Sequence, residues 1–397
     1  MTDQERIQRM ARRPINRRGF LSLMGASAGA AALAACTGPA GSVRPSSADP
    51  TSGASSTPAG DSPVPSYEIE NELLTYNWSQ YVSDKNIAEF KRRFNVENFG
   101  YDTFAGNEEL IAKLQAGATG YDITCPTAEF VAGMVEEGFL QELDLTRIPN
   151  LKYINPTFRN TAWDPDNKYI VPKDYGTTGI VYRKKLVSEP VTSWREFYDL
   201  SIGKYSGKVV FVNSASDVFP FALKYNGFSV NDNDPAHLET ARQTLLSIAP
   251  HLLALDSDLY QEKLASEEAA LCLGWGGPLV DYVDDPETAD MSYVVPSDGT
   301  IFWLDAWVML ADAPHPNAAY AWLNFIHEPE IQAEETIANG YATPNDEAKK
   351  HLPDDILNDP LIFPPDDVIS SLEGSLDHSG VQQRNDIWAE FVSKVGA

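Results

Sequence analysis

Basic side chains are scarce in this sequence of 397 residues. It carries 30 Lys and Arg against 57 Asp and Glu, a formal net charge of −27, and six of the arginines fall within the first 35 residues. A field of this sign repels nucleic acid and anionic lipid and attracts cations. We therefore expect no nucleic-acid partner. The charge favours a cationic ligand only weakly, because an acidic surface that serves solubility or halotolerance explains most of it.

Cysteine and histidine are also few. The sequence has three Cys and six His, and no group of them has the spacing of metal ligands, so no metal site is expected. Cys125 and Cys272 lie in the apolar runs YDITCP and AALCLGW, which predicts two buried free thiols. A disulfide between them stays an alternative in an oxidising compartment.

Motifs of the common enzyme classes are missing from the region that follows the N-terminal segment. It has no Gly-x-Ser-x-Gly elbow, no His-Glu-x-x-His and no phosphate-binding glycine-rich loop. We therefore expect a protein that is not an enzyme and that uses no cofactor. A secreted hydrolase that uses paired acids is the alternative from the enzyme class.

The first 35 residues have the features of an export signal. Residues 16–21, NRRGFL, resemble a twin-arginine motif, and residues 20–35 are apolar but too short and too rich in Ala and Gly to span a membrane. This stretch ends in Leu33-Ala34-Ala35-Cys36, which resembles a bacterial lipobox. The resemblance implies cleavage before Cys36 and lipidation of that residue.

Residues 36–68 consist mainly of Gly, Ser, Pro, Ala and Thr. A segment with so few apolar side chains cannot bury a core, so we predict a flexible tether. Together with a lipid anchor on Cys36, the tether would hold an exported, folded body in the periplasm or at the outer face of the cytoplasmic membrane.

Strand-like and helix-like patterns alternate from about residue 69 onward. Residues 73–78 and 95–104 indicate strands, and helical apolar spacing begins at Asp84 and Asn107, which are predicted N-caps. The alternation predicts an α/β fold with a largely parallel sheet. In such sheets ligands bind beyond the carboxyl ends of the strands.

One carboxylate, Asp305, lies within the apolar run 296–310, PSDGTIFWLDAWVML. In a strand, Trp303, Asp305 and Trp307 would project from one side. A charge in so apolar a segment is costly unless a cation or several hydrogen-bond donors meet it. Two interpretations follow from the residues alone: a strand-end Asp that faces water with tryptophans in the core, or a binding site.

Several segments in one order resemble the bacterial extracellular solute-binding proteins of the spermidine/putrescine type, which belong to polyamine ABC importers. They are YNWSQY at 76–81, YDI with PT at 121–127, Trp194 with YSGK at 205–208, GTIFWLD at 299–305, and the helix pair and turn at 321–345. Each segment alone is weakly specific, whereas their order over more than three hundred residues is strong. The resemblance covers about 73–395.

This resemblance implies a two-lobed periplasmic-binding-protein fold, similar to type II, with hinge crossovers and a ligand cleft between the lobes. The expected first lobe is 69–180 plus 305–345, and the expected second lobe is 181–304 plus 346–397. The Gly/Thr-rich segment 170–182 suits a hinge. The segment around Asp305 becomes the returning crossover.

The resemblance also implies ligand contacts at individual positions. Aromatic walls match Trp78, Tyr81, Trp275, Trp303 and Tyr341. Trp307 matches no ligand position, and we assign it to packing.

The polar positions of the resemblance are hydroxyls and acids. Ser79 and Thr127 match hydroxyl positions, Asp217 matches an acid that meets an amine, and Asp305 matches the central carboxylate for an ammonium group. Two positions depart from the pattern. Glu129 stands where relatives have an aromatic residue, and Ser214 stands where spermidine-binding members have a second acid.

The expected function is therefore that of a substrate-binding lipoprotein of an ABC importer. It would capture a polyamine, putrescine or spermidine, between its lobes and deliver it to the permease and ATPase subunits as a monomer. Carboxylates spaced along a slot suit ammonium groups, and aromatic faces suit the methylenes between them. The alternatives are another small cationic or amino-acid-like solute, and a ligand-sensing lipoprotein.

Overall fold

The computed structural model describes residues 67–283 and 285–395. The predicted export signal, the predicted lipidation site Cys36 and nearly all of the predicted tether lie outside the described residues. Tyr67, at the end of the predicted tether, has its ring 4.2 Å from the guanidinium carbon of Arg147. No helix within the described ranges has the length and apolar character needed to cross a bilayer.

The first α/β set alternates three strands with three helices. In chain order these are β1 (Glu72–Trp78), α1 (Asp84–Phe94), β2 (Asn98–Phe104), α2 (Asn107–Gln115), β3 (Ile123–Thr124) and α3 (Val131–Glu136). A 3₁₀ turn, Ala128–Phe130, lies between β3 and α3.

A long strand begins the second set. Its members are β4 (Val171–Arg183), α4 (Trp194–Ile202), β5 (Val209–Phe211), α5 (Ala215–Tyr225), α6 (Pro235–Ile248), β6 (Leu252–Leu255), α7 (Tyr260–Ala265), β7 (Leu271–Trp275) and β8 (Met291–Val294). The remaining elements are β9 (Ile301–Met309), α8 (Pro316–Phe325), α9 (Pro329–Asn339), α10 (Asp354–Leu357), α11 (Asp366–Ser371), β10 (Glu373–Gly374) and α12 (Gln382–Val392).

The strands of the described chain form a sheet whose main path is β2-β1-β3-β9-β4-β7-β5-β6. Parallel pairs lie toward both ends of this path, and β9, β4 and their immediate neighbours pair antiparallel. The two long central strands therefore connect two parallel α/β sets. The predicted α/β class is confirmed.

Two large apolar cores flank these central strands. The first includes Phe90, Trp307 and Trp322, and the second includes Trp194 and Phe211. Trp307 is fully buried with its ring 5.9 Å from that of Trp322, as its assignment to packing predicts.

A third, smaller cluster involves part of the segment 346–397 that was expected in the second lobe. Ala348, Leu352 and Ile356 pack there with Ala333 of α9. Other parts of that segment reach the second core, through Leu361 and through side chains of α12 that include Phe391. The proposed lobe boundaries remain a prediction.

The predicted helix caps differ in detail from those of the structure. Ser83 and Gly106 occupy the N-cap positions, and Asp84 and Asn107 are the first helical residues. Asn107 instead donates from Nδ2 to the Thr127 hydroxyl at 2.9 Å and accepts from the Thr127 amide at 3.0 Å. A tertiary contact has therefore replaced the local cap, and it fixes Thr127.

Cys125 and Cys272 are free and buried, as the first of the two sequence interpretations predicts. Burial raises the pKa of both thiols well above their ordinary value.

Arg183, the last residue of β4, is a fully buried arginine. It forms an ion pair with Asp290 at 2.7 Å and donates to the carbonyl oxygens of Leu264, Ala265 and Glu287. Removing one partner from a buried pair leaves a charge and several carbonyls without donors, which is strongly destabilising.

We expect Arg183→Met to lower the free energy of unfolding by about 3 kcal/mol or more in urea unfolding. Lys168→Met is the control, since Lys168 pairs with Glu142 at a largely exposed site and should change stability by less than about 1 kcal/mol. Equal effects of the two substitutions would contradict a structural role for the buried pair.

Candidate ligand-binding site

A cavity of about 890 Å³, part of it open to solvent, lies at the ends of β1, β7 and β9. We call it the cleft. Ten of the eleven residues predicted as ligand contacts line it, from segments far apart in the chain: Trp78, Ser79, Tyr81, Thr127, Glu129, Asp217, Trp275, Trp303, Asp305 and Tyr341. Their roles as ligand contacts stay a prediction, but the fold brings them together.

The central strands place the returning crossover at the cleft. In the antiparallel β4–β9 pair, Gly176 lies opposite Trp303 and Asp174 opposite Asp305. A Cβ atom on Gly176 would come within 2.5 Å of the Trp303 ring, so the absence of a side chain there lets the indole lie against the neighbouring strand. Trp303 is thereby oriented toward the cleft.

Four aromatic rings form two edge-to-face pairs in the cleft wall. The rings of Trp78 and Trp275 are 5.8 Å apart and those of Trp303 and Tyr341 are 5.1 Å apart. Trp78 donates from Nε1 to the carbonyl of Cys125 at 2.8 Å. These contacts hold the rings in place and give apolar faces on which a hydrocarbon chain or a cation can lie.

Asp305 is a buried carboxylate in the cleft with one unpartnered oxygen. It is 5 % exposed, and its Oδ2 accepts a hydrogen bond from the Tyr81 hydroxyl at 2.6 Å. Its Oδ1 has no hydrogen-bond partner among the described residues. Burial, and next the nearby charge of Asp174, raise the pKa of Asp305 to about 7. A cation that reached Oδ1 would supply the missing partner.

Asp217 is held by donors from three elements. Its carboxylate accepts from Ser214 Oγ at 2.7 Å, from Trp275 Nε1 at 3.0 Å and from the Thr178 hydroxyl. Burial raises its pKa, and these hydrogen bonds oppose that rise. It lies in the first turn of α5.

Ser214 is the one predicted contact that does not line the cleft. Ser214 is the N-cap residue of α5, and its side chain is fully buried next to Asp217. Within the structure it supports the Asp217 carboxylate instead of facing the cavity.

Glu129 lies in the 3₁₀ turn after β3 and is buried. Burial raises the pKa of this carboxyl well above its ordinary value, the charges of Asp217 and Glu108 raise it further, and a hydrogen bond with Ser375 opposes the rise. Glu129, which stands where the resembling proteins have an aromatic residue, is therefore a buried carboxyl beside other acids, and its charge also acts on Arg384.

A second cavity, of about 2200 Å³, shares Glu129 and Ser216 with the cleft. Asp377 and His378 line this second cavity and not the cleft. Burial, with a smaller effect of the Arg384 charge, lowers the pKa of His378 to about 4. The segment around Asp377 and His378 therefore borders the second cavity.

Sequence reasoning missed several polar groups that line the cleft. Gln261 and Asp258 come from α7 and the loop before it, which no sequence pattern singled out. Gln261 is 4 % exposed, donates to the carbonyl of Asp258 at 3.0 Å, and has no partner for its Oε1 among the described residues. Its acceptor atom thus adds to the unmet acceptors of the cleft.

The charge of the cleft is of one sign. The described lining residues include no Lys, Arg or His, whereas five carboxylates contribute to it: Glu129, Asp217, Asp258, Asp281 and Asp305. No group of acids, histidines and cysteines in the described ranges is arranged to hold a metal ion. Aromatic faces between carboxylates therefore suit an organic cation with apolar portions.

Comparisons with known proteins agree with this geometry. The model of the bacterial extracellular solute-binding protein family matches residues 85–364. The spermidine/putrescine-binding periplasmic protein 1 of Haemophilus influenzae is 32 % identical over 302 residues, 75 % of this chain and 82 % of the relative.

Two solved structures share the fold. The spermidine/putrescine ABC transporter substrate-binding protein PotD of Streptococcus pneumoniae is 28 % identical, with a TM-score of 0.66 over 81 % of this chain and 99 % of that one. The TpPotD lipoprotein of Treponema pallidum is 25 % identical, with a TM-score of 0.67 over the same shares. The two-lobed periplasmic-binding-protein fold is confirmed.

The raised pKa of Asp305 gives a stability prediction for the ligand-free protein. Because the folded state holds a proton that the unfolded state has already lost, wild-type stability should fall as pH rises from the ordinary value of 3.8 to about 7. We expect Asp305→Asn to be more stable than wild type at pH 8, on the order of 2 kcal/mol in urea unfolding, with little gain at pH 4.

Asp166→Asn, at an exposed turn, is the matched control and should not show this difference between pH values. The same gain for Asp305→Asn at both pH values would show that the gain does not come from ionisation of Asp305, and a loss at pH 8 would show that the carboxylate is satisfied within the protein; either result contradicts the prediction.

Proposed function

The chain belongs to the family of bacterial extracellular solute-binding proteins, and we propose that it binds a polyamine in the cleft and delivers it to the permease of an ABC importer. One observation carries this proposal. The described lining of the cleft has five carboxylates, several aromatic faces and no basic side chain. The names of the relatives, which refer to spermidine and putrescine, support the same ligand class.

The ligand's chemistry matches the kinds of groups that line the cleft. A polyamine carries ammonium groups separated by methylenes. Asp305 offers an unpartnered oxygen for one ammonium group, and the four rings of Trp78, Trp275, Trp303 and Tyr341 cover the methylenes. Asp217 and Glu129 then accept the remaining ammonium groups of the ligand in the cleft.

The two departures from the resembling sequences bear on ligand length. Ser214 supplies no acid and does not face the cleft, but Glu129 adds a buried carboxylate at the border with the second cavity. The number of acids is therefore the same as in the resembling spermidine-binding proteins, but one acid stands at position 129 instead of position 214. Putrescine and spermidine both fit this distribution of charge.

An amino-acid-like ligand is disfavoured by the same distribution. Its carboxylate would need a cationic partner, and the residues described as lining the cleft provide none. A ligand-sensing lipoprotein would use the same cleft, so the distinction from transport depends on a permease and ATPase that act with this chain.

The remaining features of the proposal concern the protein as a whole. We place it outside the cytoplasm, anchored through lipidated Cys36, as a monomer that is not an enzyme. The signal-like residues 1–36 support the anchor, as does the lipoprotein among the similar structures.

A ligand that binds only the folded state raises the melting temperature. With the full chain, we expect at least one of putrescine, cadaverine, spermidine and spermine to raise it by about 5 °C at saturating concentration. Glutamate and glycine betaine serve as anionic and permanently methylated comparison ligands. No response to any of the four amines would contradict polyamine binding.

The role of Asp305 is tested with the same assay. Asp305→Ala should remove most of the response to amines, with affinity at least about tenfold lower by calorimetry, because an ammonium group loses its charged acceptor. Asp166→Ala, which removes an exposed carboxylate, should bind like wild type. Unchanged affinity of the folded Asp305→Ala variant would return this residue to a structural role.

A further inference from the structure

Two carboxylates lie directly opposite each other beneath the cleft. Asp174 on β4 and Asp305 on β9 are cross-strand partners in the antiparallel pair. Both are buried, 2 % and 5 % exposed. Like charges at such positions are destabilising, so the two carboxylates need neighbouring groups that reduce their repulsion.

The Tyr81 hydroxyl is the first of these neighbouring groups. It lies between the two acids, 2.6 Å from Asp305 Oδ2 and in hydrogen-bond contact with Asp174 Oδ1. Burial, followed by the charges of the two carboxylates, raises the pKa of Tyr81 well above its ordinary value. The phenol therefore keeps its single proton, which cannot satisfy both acids.

Lys173 is the second group that reduces the repulsion between the two acids. The β4–β9 register shifts between Pro172 and Asp174, so Lys173 lies at an irregularity where its side chain can turn inward. Its fully buried ammonium pairs with Asp174 Oδ2 and lies 3.6 Å from the centre of the Tyr81 ring. Burial lowers its pKa, but the carboxylates of Asp174 and Glu335 outweigh burial and the net pKa is raised. Lys173 is charged.

Asp174 has more partners than Asp305. Asn339 donates to its Oδ2 at 3.0 Å, in addition to the contacts with Lys173 and Tyr81. Asp174 does not line the cleft, whereas Asp305 does. The other titratable groups that face this cluster include Cys125 directly after β3, His327 after α8, Glu335 from α9 and Tyr341.

One oxygen of Glu335 has hydrogen-bond donors of its own, whereas its Oε2 has no partner among the described residues. Its Oε1 accepts from the Ser83 amide at 3.0 Å and from Asn86 Nδ2 at 2.7 Å. It contacts the cluster through the charge of Lys173 and lies outside the cleft lining. Lys173 and Asp174 thus cancel as a pair, and among the acids of this cluster (Asp174, Glu335 and Asp305) only Asp305 lines the cleft.

We propose that the buried Lys173–Asp174 pair sets the charge at this end of the cleft, so that Asp305 presents one net negative charge and accepts one ammonium group. This inference rests on the proposed function. Lys173 and Asp174 are positioning residues in it, because neither lines the cleft. Without Asp174, Asp305 becomes an available carboxylate for Lys173, and the lysine competes with the ligand.

A charge-rescue experiment tests this proposal. Putrescine and spermidine affinities are measured by calorimetry for wild type, Asp174→Asn, Lys173→Met and the double variant. Asp174→Asn should bind at least about tenfold more weakly, because Lys173 loses its partner and competes with the ligand for Asp305. The double variant removes this competing lysine and should bind within about threefold of wild type, a non-additive result.

The rescue separates this role from a structural one. If the pair only maintained packing, the double variant would bind no better than Asp174→Asn, which would overturn the proposal, as would wild-type affinity of Asp174→Asn. Thermal unfolding checks that each variant folds. Should Asp174→Asn not fold, Asp174→Ser replaces it with the same charge and a small hydroxyl, and the same rescue is required.

Failure of the proposed function gives a different result. Wild type itself would then bind none of the amines, whereas failure of the charge-setting role leaves wild-type binding intact and removes only the rescue. Asp166→Asn again controls for loss of a distant surface carboxylate.

Discussion

A buried carboxylate with an unmet oxygen is the constraint on which the site depends. Asp305 is almost fully enclosed, yet only one of its oxygens has a partner among the described residues. An ionised group in such a place is costly unless a cation meets it. The cost is tolerable at neutral pH because the carboxyl can hold a proton, and a bound ammonium group would remove the need for that proton.

The two central strands make this arrangement possible. β4 and β9 connect the two parallel sets, so residues about 130 positions apart become cross-strand neighbours at the cleft. Gly176 makes room for the Trp303 ring, and the register shift at Lys173 turns a cation inward. Aromatic walls, an anionic end and its internal counter-charge therefore come from one strand pair and the segments around it.

Much of the fold could be predicted from the sequence, because strand and helix periodicity are local signals and the family's segments occur in order. Ten of the eleven proposed contacts line the cleft for the same reason. Ser214 does not, since a serine at the start of α5 is better placed to hydrogen-bond Asp217. Lys173, Asp174 and Gln261 were missed, because their role arises from strand register and from a short helix, which no local pattern specifies.

The central claim is that the free cleft holds Asp305 partly protonated and that a polyamine replaces this proton. Calorimetric titration with putrescine at pH 7, in two buffers with different ionisation enthalpies, measures it directly. The primary ammonium groups of putrescine remain protonated at this pH, so any exchanged proton comes from the protein. Our account predicts a net release of protons on binding that is reduced in Asp305→Asn. Binding without proton release by wild type would contradict it.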